Sequence, residues 1–133
     1  MAPEDVNALP LLDQAVLDRL RIELDDDDGV WKVFVQNFIE NLPHRTEKVR
    51  LTLTTGDLTG AMDAVLSLKT SSQMVGAERL AGLALDLERS LRQESVDAEP
   101  DRVLPRLAAD RFRQIIRCAR QTTYLLQRFL HSE

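Results

Sequence analysis

The feature that most constrains this chain is an apolar repeat of three to four residues that returns in one long stretch after another, with little between the stretches. Val30, Phe34, Phe38 and Leu42 recur at four-residue spacing, and Trp31, Val35 and Ile39 broaden the stripe. Leu58, Ala61, Ala64, Val65, Leu68, Ser72 and Val75 form a second set, Leu80, Leu83, Leu87 and Leu91 a third. Leu104, Ala108, Phe112, Ile115, Ala119, Thr122, Leu126 and Phe129 form the last. At 3.6 residues per turn each set falls on one side of a helix. Aromatics make up only 5% of the 133 residues, with five glycines and five prolines, which disfavours a sheet. Asp13 is placed to cap a shorter helix carrying Val16, Leu17, Leu20 and Leu24. The expected fold is all-α: an antiparallel four-helix bundle with a short additional N-terminal helix acting as a lid.

Local signals set the boundaries. Residues 1–10 read as a flexible N-terminal tail and residues 11–133 as one domain. The second helix is expected to begin near Gly29 and to be kinked or interrupted by Pro43. Thr54-Thr55-Gly56-Asp57 reads as a stop, a glycine cap and a new N-cap, and Gly76 closes the helix that starts at about Leu58. Residues 94–101 read as a polar linker, with the last helix starting near Arg102 and Pro105 tolerated in its first turn.

Composition excludes several classes. A net charge of -5 argues against nucleic-acid binding through phosphate contacts. The single cysteine, Cys118, has no internal disulfide partner and lies in an apolar pattern, which fits a buried thiol and a cytoplasmic protein. No apolar stretch is long enough to span a bilayer, and the start lacks a secretory pattern. The run Asp25-Asp26-Asp27-Asp28 suits a helix start better than a calcium loop, whose ligands alternate.

Residues 61–80 read Ala-Met-Asp-Ala-Val-Leu-Ser-Leu-Lys-Thr-Ser-Ser-Gln-Met-Val-Gly-Ala-Glu-Arg-Leu. This resembles the signature of the histidine-phosphotransfer (HPt) family, His-x-Leu-Lys-Gly-Ser-Ser followed by Gly-Ala and a Leu-rich helix ending in Leu-Glu. Leu68, Lys69, Ser71, Ser72, Gly76, Ala77, Leu80, Leu87 and Glu88 match it. Leu12-Asp13 through Leu20 resemble the family's first helix and Phe34 to Pro43 its second, so the resemblance covers residues 11–92, the last helix agreeing in length and pattern only. It implies a module of two-component phosphorelay signalling whose partners are receiver domains or histidine kinases.

Two positions depart from that signature. The phosphoacceptor position is Leu66, and the glycine one turn later is Thr70. Leucine has no nucleophile, and the hydroxyls of Ser67 and Thr70 are weak ones without an adjacent base. No catalytic residue is therefore expected, and the chain is not expected to be an enzyme. Periodicity sets Met62, Leu66, Lys69, Thr70 and Gln73 opposite the core-facing side of the third helix. These five are the candidate partner-binding residues; the competing reading is an ordinary solvated face. Lys69 either meets an acidic receiver pocket or is a solvated lysine.

His44 and His131 lack the Leu-Lys-Gly context and read as exposed histidines, and with one cysteine they give no metal-ligand spacing. No metal or cofactor is expected. Arg102, Arg106, Arg111, Arg113, Arg117, Arg120 and Arg128 make the last helix basic, fit either for an acidic partner or for solvent. The reading that emerges is an HPt-like module that binds a receiver domain or another signalling protein without accepting phosphate. Its rival is a structural bundle that dimerises by burying Leu66 and Met62 against a second copy.

Overall fold

A computed structural model describes residues 6–24, 28–94 and 99–131. It is all-helical: α1 (Gln14–Glu23), α2 (Asp28–Thr54), α3 (Leu58–Met74), α4 (Glu78–Glu94) and α5 (Pro100–Leu130), with a 3-10 turn at Val6–Ala8. The helices α2 to α5 form an antiparallel four-helix bundle in which α3 packs on α2 and α4, and α5 on α4 and α2. One apolar cluster fills the bundle, with Leu53, Leu68, Leu80, Leu87, Leu104 and Leu126 fully enclosed.

Two glycines make the tight turns. Gly56 and Gly76 both have φ of 73°, where a side chain is strained. Past each, an amide reaches back to the preceding helix: Asp57 N donates to the Thr52 carbonyl at 2.9 Å and Ala77 N to the Ser72 carbonyl at 2.8 Å. Such wrapped ends satisfy carbonyls that a helix terminus leaves open. Asp57 then caps α3, its Oδ1 accepting from Gly60 N at 2.9 Å.

The lid is tied down by backbone. Asp13 caps α1 through Ala15 N, and its own amide donates to the Gly76 carbonyl at 2.7 Å. Part of the segment expected to be a loose tail rests on α4: Arg79 donates from its amide to the Pro10 carbonyl and from Nε to the Leu9 carbonyl. Val6 and Leu9 lie over Gly82, where a β-carbon would meet Leu9 Cδ1 at 2.7 Å. Leu17 carries α1 into the core.

Three sequence expectations need correction. Pro43 does not interrupt α2, which runs unbroken from Asp28 to Thr54. The ring removes the one amide that would serve the Ile39 carbonyl, and burial of Phe38, Ile39, Leu42 and Thr46 on the helix's inner side holds it together. That inner side is rotated from the expected stripe. Val30 is exposed and Phe34 half-buried, while Trp31 is buried against Phe129 with ring centroids 5.2 Å apart. Finally, α5 starts at Pro100 rather than near Arg102, so Pro105 stands beyond the first turn. Val103, Leu104 and Leu107, all buried, anchor the helix around it. Residues 25–27 of the acidic run, and 95–98 of the linker, lie outside the described residues.

Candidate functional site

The outer side of α3 is defined by what its inner side buries. Ala61, Ala64, Val65, Leu68 and Ser72 face the core. Of the five candidates, Thr70 and Gln73 are exposed, and Met62, Leu66 and Lys69 are half-buried. Met62 leans on the core cluster. From Met62 onward the exposed residues of α3 are Asp63, Ser67, Thr70, Gln73 and Met74, a set centred less than a quarter of a turn from Leu66. The helical wheel placed the core side correctly and misplaced the centre of the outer side, because α4 covers one flank of α3.

Lys69 is ion-paired within the bundle. Its Nζ donates to Glu88 Oε1 on α4 at 2.7 Å, and its side chain keeps 21% exposure. Glu88 is itself buried, and Arg92 one turn on donates to Oε2 from Nη2 at 2.9 Å and from Nε at 3.2 Å. Chiefly the Lys69 hydrogen bond, opposed by burial and helped by Arg92, holds the Glu88 carboxyl below the usual carboxylate range. One carboxylate thus collects two cations beneath the α3–α4 seam. In the sequence Glu88 stood out only as a match to the signature, with no partner assigned, although an acid flanked by Leu87 and within one turn of Leu91 and Ala84 signals a buried partner.

On the other flank, α2 and α3 enclose a polar groove of about 220 Å³ lined by Asn41, His44, Arg45, Lys48, Asp63, Ala64 and Ser67. His44 is exposed there, beside the residue that follows Leu66. The fold therefore brings to one groove an imidazole and a hydroxyl that stand 23 positions apart in sequence. His131, at the end of α5, is not part of it. The second serine of the motif, Ser72, is fully enclosed, and its hydroxyl has no hydrogen-bond partner. Ser71 turns its hydroxyl back to the Ser67 carbonyl at 2.8 Å.

The sequence profile of the family described as Hpt domain matches residues 33–122. The chain belongs to the Hpt domain family. The match starts inside α2 and runs most of the way through α5, so the family pattern reaches the last helix, beyond the 11–92 span that the motif carried. Among solved structures, the chain is similar to histidine-containing phosphotransfer protein B (HptB) from Pseudomonas aeruginosa PAO1. The TM-score is 0.76 at 23% identity, over 95% of this chain and 99% of that one, a likeness of fold. No curated protein sequence matches. Among the described residues no group of histidine, cysteine, aspartate and glutamate side chains is clustered as metal ligands are, and no helix is long and apolar enough to cross a membrane.

Proposed function

We propose that this Hpt domain is a cytoplasmic docking module of a two-component phosphorelay that does not accept phosphate at the family's position and instead binds a receiver domain. A histidine kinase is the other candidate partner. The observation that carries the reading is Leu66: the helix that should present an imidazole keeps its capping, its core side and its Leu68-Lys69 neighbours, and presents a side chain with no lone pair. The state of Lys69 supports it. A lysine bound to a buried carboxylate 2.7 Å away is not available to neutralise a phosphoryl group. Leu66 and Met62, half-covered, with Thr70 and Gln73 beside them, offer a small apolar and polar surface of the kind that partners cover.

Purified receiver domains charged with acetyl phosphate test the reading. The expected result is binding to the chain with no transfer of label, and weakened binding by Leu66→Asp or Thr70→Arg. Stable label on the wild-type chain overturns it, and label abolished by His44→Gln places acceptance on α2. A concentration-dependent dimer that Leu66→Asp dissociates overturns it in favour of the oligomerising bundle.

A further inference from the structure

The seam across the bundle from α3 and α4 carries a surface groove. Between α2 and α5 lies a groove of about 540 Å³ with Leu42, Pro43, Phe112, Ile116, Ala119 and Tyr124 among its walls. The small side chains of Thr46, Ala119 and Thr123 leave the space, while Tyr124, 59% exposed, stands at its edge. A second depression of about 580 Å³ shares Phe112, Ile116 and Arg120 with the first and continues back to Ala108. Together they follow α5 from Ala108 to Gln127, roughly 28 Å at the helical rise.

The charge beside this trough is one-sided. The helix α5 carries seven arginines against two aspartates, in a chain whose net charge is -5. Arg113, Arg117 and Arg120 line the trough on the α5 side, all exposed, and none is ion-paired among the described residues. On the α2 side, Arg50 is already neutralised by Glu47. An apolar floor about five turns long beside a row of unneutralised arginines matches an amphipathic helix with carboxylates along one edge. A second copy of this chain fits less well, because a two-fold contact through α5 sets the two arginine rows against each other.

We infer that the α2–α5 trough is a docking site for an acidic amphipathic helix of a partner protein, separate from the α3 face. It does not depend on the fate of phosphate at position 66. The test uses a fluorescein-labelled 18-residue peptide with leucines at helical spacing and glutamates elsewhere, and a counterpart with lysines for the glutamates. Fluorescence anisotropy is expected to show the acidic peptide binding at least ten-fold more tightly, with the difference shrinking in high salt. The triple variant Arg113→Glu, Arg117→Glu, Arg120→Glu, all at exposed positions, is expected to remove that preference while circular dichroism stays unchanged. Amide shifts in the NMR spectrum are expected at Ala119 and Thr123. No binding, equal binding of both peptides, or shifts confined to α3 overturn the inference. Self-association that the triple variant strengthens assigns the trough to a second copy and overturns it too.

Discussion

The Lys69–Glu88–Arg92 cluster invites a direct test by Lys69→Met. The substitution keeps an unbranched stem of the same length and removes the terminal donor that lies 2.7 Å from Glu88 Oε1. Glu88 remains 6% exposed and retains Arg92, whose side chain is 63% exposed and correspondingly weak as a sole partner. A hydrogen bond to a charged group contributes about 1.5–3 kcal/mol, and stripping a fully buried ion of its partner costs about 3–5 kcal/mol. The surviving Arg92 and the partial exposure of Lys69 set the expected loss at about 2 kcal/mol, a fall in Tm of about 6–10 °C for a chain of this size. The effect depends on pH in a definite direction. Glu88 is held below its ordinary value of 4.5 in the folded protein, so its contribution is present above that value and disappears as pH falls through the lower, folded one. The gap between wild type and Lys69→Met is therefore expected to be constant well above pH 4.5 and to narrow as pH falls below it. The double variant Lys69→Met, Glu88→Leu, which removes both charges, is expected to recover most of the loss. Urea unfolding at a series of pH values reads all three. Equal stability of Lys69→Met and wild type at pH 7, or a gap that does not narrow below pH 4.5, refutes the reasoning.

Three further predictions follow from single side chains. Ser72→Ala removes a buried hydroxyl that has no partner, so it is expected to stabilise by about 1 kcal/mol, seen as a higher urea midpoint at unchanged slope. Gly76→Ala forces a side chain onto a φ of 73° and sets a β-carbon 2.8 Å from the Asp13 carbonyl, so a loss of about 2–4 kcal/mol is expected, with faster amide exchange throughout α1. Burial pushes the Cys118 thiol up, against a weaker hydrogen bond from Thr122, so reaction with a disulfide reagent is expected to be slow in buffer and immediate in denaturant.

Much of this fold was legible because helical patterning is local. Asp13, Asp57, Gly56 and Gly76 announced their turns through chemistry that acts within three or four residues. The start of α5 was not legible in the same way. Pro100 and Pro105 both suit a first turn, and only the burial of Val103 and Leu104 decides which one occupies it. The candidate site was legible as far as it lies on one helix. Leu66 and Thr70 stood out against the motif, whereas the partner of Lys69 sits 19 residues away on α4 and that of Ser67's groove on α2. Tertiary packing chose those neighbours, and it also rotated the exposed row of α3 away from the expected centre, because α4 shields one flank.

The way α1 is fastened has an architectural consequence. Its cap is bonded to Gly76, Arg21 lies over the Trp31 ring, and that ring meets Phe129. The beginning and the end of the described chain therefore sit at the same pole, with the Gly56 turn at the other. Joining residue 131 to residue 6 through a glycine-serine bridge long enough to cross that pole, and reopening the polypeptide at Gly56, would change the order of the helices while keeping their packing.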